Sequence, residues 1–239
     1  MVGPGTPDVS TPPEIEVFRS REALFDAAAS VLAGALTEAV ATHGQAGFAA
    51  TGGTTPAPVY DRLAHMTAPW DRVTVTLTDE RWVPPSHEDS NEGQVRRHLL
   101  VGPAAKARFA PLYFDGFSPE ESARQAEAGV ATALPFGAVL LGMGGDGHFA
   151  SLFPGSPVLA EGLDPDGSRL VIAAPQGSPA PDQSRISLTL NALERSALIV
   201  LLITGTAKRQ LLEGPVDPKL PISSLLNQDR APVRILWAE

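Results

Sequence analysis

Cysteine is absent from the 239 residues, which rules out disulfides, thiolate nucleophiles and cysteine-bound metal. Aromatic residues are sparse, at 6%. No apolar run reaches the roughly 18 residues of a bilayer span, so no membrane-crossing segment and no membrane partner are expected. Positive charge is also scarce: 18 Lys and Arg stand against 27 Asp and Glu, for a net charge of −9. Bulk electrostatics therefore disfavour nucleic acid and anionic membrane surfaces as partners. An anionic small molecule stays open, because a pocket can be locally positive on an acidic chain. An early basic cluster followed by an apolar segment is missing as well, so a secretory signal is not expected, and cytoplasmic is the expected location.

What is present suits a globular protein: 43% of the residues are hydrophobic, in a chain long enough to bury a sizeable core. Residues 1–13 are rich in Pro, Gly and Thr and nearly devoid of apolar side chains, so they are expected to form a disordered N-terminal tail. Residues 14–239 read as a single α/β domain, with no internal repeat and no interdomain linker. Strand patterns at 14–18, 48–50, 73–77, 138–141, 170–174, 185–188, 197–203 and 233–237 alternate with helical ones. Ser20 caps a helix over 21–42 that Gly44 ends. A second helix runs to about His65, and a third follows Asp89-Ser90-Asn91. A fourth starts with the capping box Ser118-Pro119-Glu120-Glu121 and ends near Leu134-Pro135. Short helices fit 191–195 and 207–212. Strands separated by helices predict a mostly parallel, Rossmann-like sheet flanked by helices on both faces.

The chemistry concentrates after the central apolar strand, in Gly142-Met143-Gly144-Gly145-Asp146-Gly147-His148. Four glycines in six residues let the backbone turn sharply and approach a ligand, at the strand end where open α/β sheets place their sites. The run satisfies the G-x-G-x-x-G pattern of a dinucleotide loop. However, Pro154 leaves no room for the long helix that such a loop feeds, and no acid closes the following strand. His148 is instead the candidate general base, since a neutral imidazole is poised to accept a proton near pH 7. Asp146 either orients that ring or satisfies the turn's amides.

Two further strand ends carry polar loops. Thr51-Gly52-Gly53-Thr54-Thr55-Pro56 is a glycine turn leading into a helix, where free amides and hydroxyls attract an anion. Thr204-Gly205-Thr206-Ala207-Lys208 repeats the theme, with a lysine in a first helical turn where only a bound anion would favour it. Arg185 can join Lys208 on a phosphate or form a surface ion pair. In Asp79-Glu80-Arg81-Trp82, Arg81 suits a phosphate or an oxyanion, and Asp79 is either a base or the group that holds Arg81. His43, His65, His87 and His98 show no metal-ligand spacing, and no metal is expected.

Together, Thr51-Gly-Gly-Thr-Thr-Pro, Thr78-Asp-Glu-Arg-Trp-Val-Pro with Ser90-Asn91, Gly142-Met-Gly-Gly-Asp-Gly-His-Phe-Ala-Ser-Leu-Phe-Pro and Gly205-Thr-Ala-Lys208 resemble the 6-phosphogluconolactonase family. The likeness covers nearly the whole chain after the tail. It implies an α/β fold shared with glucosamine-6-phosphate deaminases, no cofactor, and hydrolysis of the sugar-phosphate lactone 6-phospho-D-glucono-1,5-lactone to 6-phosphogluconate in the oxidative pentose phosphate pathway. By that likeness Gly52, Gly53, Thr54, Thr55 and Lys208 hold phosphate and His148 is the base. The deaminases carry a glutamate where Phe153 stands and a tyrosine after Asp-Glu, so this chain sides with the lactonases. Phe149 replaces the family's usual threonine and is expected at the pocket edge. A sugar-phosphate sensor would need neither Asp146 nor His148. A monomer or small homo-oligomer is expected.

Overall fold

The computed structural model describes residues 13–175 and 183–239. The expected tail over residues 1–13 therefore lies outside the described residues, apart from Pro13. In chain order the elements are β1 (Ile15–Val17), α1 (Arg21–His43), β2 (Ala46–Ala50), α2 (Ala57–Leu63), β3 (Val73–Leu77), β4 (Asp79–Arg81), α3 (Asn91–His98) and β5 (Arg108–Phe109). They continue with α4 (Pro119–Ala133), β6 (Phe136–Leu141), α5 (Leu159–Gly162), β7 (Val171–Ala174), β8 (Arg185–Leu188) and α6 (Leu190–Leu193). The last are β9 (Ile199–Thr204), α7 (Thr206–Leu212), α8 (Pro221–Asn227) and β10 (Val233–Ala238).

Seven strands form one sheet in the order β1-β10-β9-β6-β2-β3-β5, with every neighbouring pair parallel. Strand β6, Phe-Gly-Ala-Val-Leu-Leu, is central and buried at every position. A strand covered on both faces has no polar side to alternate with, which is why it reads as an unbroken apolar run. Glycines let the helices approach. A Cβ on Gly137 would lie 2.7 Å from the Ala39 Cβ of α1 and 3.2 Å from the Ala46 Cβ. One on Gly47 would lie 2.0 Å from the Ala133 carbonyl oxygen at the end of α4. Ala46 and Gly47 are successive strand residues and point to opposite faces. Helices α1 and α4 therefore cover opposite sides of the sheet.

Helix α1 starts where Ser20 Oγ accepts the Ala23 amide at 3.2 Å, and it stops at Gly44 in the left-handed region, φ 77°. By length and composition it could cross a bilayer. Here its Leu24, Ala28, Leu32 and Leu36 stripe is buried, and it packs on β2, β6, β9 and β10. Helix α4 opens with the capping box expected at Ser118 and Glu121.

The main sheet is parallel as expected, and a second, smaller sheet stands beside it. Strands β4, β8 and β7 make a separate antiparallel sheet of three, with Asp79 opposite Ser187 and Ala173 opposite Ile186. Asp79–Arg81 reads as a polar loop in sequence because its side chains are charged. It becomes a strand because β8 supplies backbone partners from a hundred residues away, and such pairing leaves no local trace. Helix α8 and the two-residue β5 also carry no strong sequence signal. The chain order in the main sheet reverses between β2 and β6: β3 and β5 build outward on one side, β9 and β10 on the other. That reversal opens a crevice at the strands' carboxyl ends.

Gly47→Ala is expected to lower stability by about 1–3 kcal/mol, the usual cost of an extra methyl in a packed core. Its Cβ has nowhere to go between the Ala133 carbonyl and the Phe136 ring, 2.0 and 2.8 Å away. Urea titration checks this, and an unchanged midpoint would mean that α4 moves aside freely.

Candidate active site

The loop after β6 builds the first wall of the crevice. Gly144 N–H donates to the His148 carbonyl at 2.9 Å and Gly147 N–H to the Gly144 carbonyl at 3.1 Å, closing a tight turn in which Gly147 has φ 76°. The turn places the Asp146 and His148 side chains directly on Gly144: a Cβ there would lie 2.2 Å from the imidazole and 2.5 Å from Asp146 Oδ1. Asp146 Oδ1 sits 2.6 Å from His148 Nδ1. Donation from Nδ1–H fixes the tautomer, so Nε2 is the basic nitrogen left to act. Burial opposes charge on Asp146, but the hydrogen bond and charge of His148 outweigh it and hold the carboxyl below its ordinary range. The partner that the sequence left open between Asp79 and Asp146 is thus Asp146.

The small sheet builds the second wall. Asp79 is buried, and its Oδ2 accepts from Ser151 Oγ at 2.6 Å and lies 3.7 Å from an Arg185 Nη1. Its Oδ1 accepts from Thr78 Oγ1 at 3.1 Å. Of the two roles the sequence left open for Asp79, a base or the group that holds Arg81, the second is not what the geometry shows: Asp79 faces Arg185. Arg81 is held by the Asp89 carbonyl at 2.8 Å and by Asn91 Oδ1. Asn91 in turn donates to the Asp79 carbonyl at 2.8 Å and occupies the space a side chain on Gly52 would take.

Glu80 between them points away from the crevice and closes the start of α3. Its carboxylate accepts the amides of Arg81 and Asn91 at 2.8 Å each, Glu92 at 2.7 Å, and the Ser90 hydroxyl at 3.0 Å. Burial nonetheless pushes its carboxyl up to about 7, while those four donors pull the other way.

The third wall combines the two glycine–hydroxyl turns. Lys208 is half-buried, burial draws its ammonium below the ordinary range, and no carboxylate pairs with it among the described residues. Arg185 is likewise held down by burial, and its buried Nε has no hydrogen-bond partner among the described residues. The Gly205 turn is fixed by Trp237 Nε1, which donates to the Gly205 carbonyl at 3.0 Å. One expected amide is already used: Gly53 N–H donates to Gln94 Oε1 at 2.9 Å, and Gln94 Nε2 returns a bond to the Gly53 carbonyl. The turn thus offers Thr54 and Thr55, with Gly53 serving to shape it.

All of these meet in one cavity of about 320 Å³. Gly52, Gly53, Thr54, Thr55, Asp79, Arg81, His148, Arg185 and Lys208 line it, and Asp146 backs the histidine. Three cations against one carboxylate make the pocket positive on a chain of net charge −9. Phe149 is fully buried, not at the pocket edge, because its position alternates with the lining residues His148 and Ala150. Sequence reading missed Gln94 and the contacts of Phe153. Neither residue type signals function, and only the fold brings them beside Gly53 and His148. Among the described residues no group of three or more His, Asp or Glu could hold a metal ion.

Residues 19–237 match the family model for glucosamine-6-phosphate isomerases/6-phosphogluconolactonase. A 6-phosphogluconolactonase of Caulobacter vibrioides is 70% identical over 96% of this chain and 99% of its own. The crystal structure of a 6-phosphogluconolactonase from Shewanella baltica superposes with a TM-score of 0.89 at 34% identity, covering 97% of this chain and 99% of that one. A monomeric glucosamine-6-phosphate deaminase, 20% identical, shares the fold with a TM-score of 0.73 over 93% of this chain and 97% of its own.

Glu80→Gln places an amide donor among four donors and is expected to cost about 2–4 kcal/mol, the range for breaking a buried polar network. With its carboxyl raised from 4.5 to about 7, the folded chain keeps a proton that the unfolded chain has released. The stability this group contributes is complete below about 4.5 and is lost as pH rises through about 7. Thermal unfolding of both proteins across that window checks this. The Gln variant should lack that part of the pH dependence.

Proposed function

The chain belongs to the glucosamine-6-phosphate isomerase/6-phosphogluconolactonase family, and from that premise we propose that it hydrolyses 6-phospho-D-glucono-1,5-lactone to 6-phospho-D-gluconate in the oxidative pentose phosphate pathway. The observation that carries the reading is the meeting of the Asp146–His148 pair with Lys208, Arg185 and the Thr54–Thr55 turn in one cavity. A base at one end and anion-binding groups at the other match an ester tethered by a distant phosphate.

In the proposed reaction the phosphate rests on the Thr54 and Thr55 hydroxyls with Lys208 and Arg185 as its cations. A phosphate there offsets the cost of two partly buried positive groups, and Arg185 Nε, which has no acceptor among the described residues, gains one. Binding energy at this remote end fixes the lactone carbonyl beside His148. His148 Nε2 takes a proton from water as its oxygen bonds to C1. Asp146 holds the ring and favours the imidazolium. Negative charge on the carbonyl oxygen is met by Arg81 and the glycine-loop amides. As the tetrahedral intermediate collapses, the C1–ring-oxygen bond breaks and the imidazolium returns its proton to that oxygen. The products are an open-chain acid and a neutral His148. Asp79 acts indirectly, by holding Arg185. No step is assigned to a metal or an organic cofactor, the small-molecule partner is a sugar-phosphate lactone, and the reading carries a cytoplasmic location.

A positioned general base supplies about 10²- to 10⁴-fold, so His148→Ala should lose that much kcat on lactone generated in situ, measured above the spontaneous rate, while circular dichroism stays native. Retained turnover would remove His148 from the mechanism. Lys208→Ala should raise KM for the phosphorylated lactone by at least about tenfold, the loss of one charge-assisted contact of roughly 1.5–3 kcal/mol. Hydrolysis of unphosphorylated gluconolactone should barely change. An equal loss on both substrates would mean that Lys208 does not read the phosphate.

A further inference from the structure

Phe153 lies five residues beyond His148 in the same loop, and its ring centroid is 4.3 Å from that of the imidazole, with the planes 43° apart. The Arg185 guanidinium lies over the same ring, its Cζ 5.5 Å from the centroid. The ring is 9% exposed, and the loop that carries it is tied down. Ser151 Oγ donates to Asp79 Oδ2 at 2.6 Å, and the Ser151 amide donates to Ser187 Oγ at 3.1 Å. Asp79 is also the carboxylate facing Arg185, so one buried group braces both the loop and the cation.

The face of an aromatic ring is electron-rich and attracts a cation within about 6 Å of its centroid. Arg185 is such a cation at all times. His148 becomes one when it has taken the proton of water. We propose that Phe153 is a positioning residue of the hydrolytic site, whose ring sets His148 against Arg185 and steadies the imidazolium formed during turnover. The proposal rests on the lactonase reading for the roles of His148 and Arg185. The charged groups that share the cavity with His148, or touch it, are Asp146 from its own loop, Asp79 and Arg81 from β4, Arg185 from β8 and Lys208 from α7. Three of these five are positive and oppose a charged imidazole. Phe153 favours it without adding a second carboxylate, which would weaken the pocket's hold on an anion.

The test compares Phe153→Leu, which keeps apolar bulk and loses the electron-rich face, with Phe153→Tyr, which keeps both. His148 is titrated by NMR through its ring C–H signal, and both lactones are assayed across pH. A contact of this kind corresponds to a shift of about half a pH unit. In Phe153→Leu the His148 titration and the acid limb of kcat/KM should therefore move down by about that much. Turnover should fall about 2- to 5-fold on both lactones. KM should rise by a similar factor for the phosphorylated lactone alone, through Arg185. Phe153→Tyr should stay near the wild type. A Leu variant with wild-type titration and kinetics overturns the proposal, and so does a Tyr variant that behaves like Leu. If Phe153→Leu does not fold, Phe153→Met provides the apolar replacement. Absence of lactonase activity in the wild type would instead overturn the functional reading, while the titration, which needs no turnover, still decides whether Phe153 favours the imidazolium.

Discussion

Every neighbouring pair in the main sheet runs parallel, and that constraint puts all the strand carboxyl ends on one edge of the molecule. Residues 54, 79, 148 and 208 are far apart in the chain, yet each follows the end of a strand and so reaches the same crevice. The reversal of strand order between β2 and β6 keeps that crevice open, because the connections on its two sides leave in opposite directions. Glycines 47 and 137 let α4 and α1 press close enough on both faces to exclude water from β6. The site is thus carried by this frame, and hydrogen bonds such as Trp237 to Gly205 and Ser151 to Asp79 fix its loops in place.

Charge is distributed against the overall balance. An acidic chain keeps three cations on one cavity, and among the described residues only Arg185 has a carboxylate partner there, at the long distance of 3.7 Å. Partly buried cations held this loosely cost stability in the empty protein. A bound phosphate reverses that cost, so the same groups that strain the free fold favour the complex. Opposite them, Asp146 spends its charge on one imidazole nitrogen and leaves the other basic. Cations and base are kept in register by a small antiparallel sheet: β4 presents Asp79 and Arg81, β8 presents Arg185, and the loop after His148 is pinned to Asp79 through Ser151. Glu80, which alternation along β4 turns away from its two neighbours, holds the start of α3 and with it Asn91, the residue that steadies Arg81.

Local patterns in the sequence determined much of this molecule. Periodicity and caps established the alternation of strands and helices, including the Ser20 cap, the Gly44 stop and the Ser118 capping box, because those interactions join residues a few positions apart. Glycine-rich strand ends and the residue types after them singled out His148, Lys208 and the Thr51–Pro56 turn, since sharp turns and misplaced cations are visible without coordinates. Only the tertiary structure decided which groups meet. It paired Asp146 with His148 and Asp79 with Arg185, gave the Gly53 amide to Gln94, buried Phe149, set Phe153 on the imidazole, and turned Asp79–Arg81 into a strand of a second sheet. The pairings of Asp79 with Arg185, Gly53 with Gln94 and β4 with β8 join segments that are distant in the chain, and their energy comes from burial and partners that neighbouring residues do not encode.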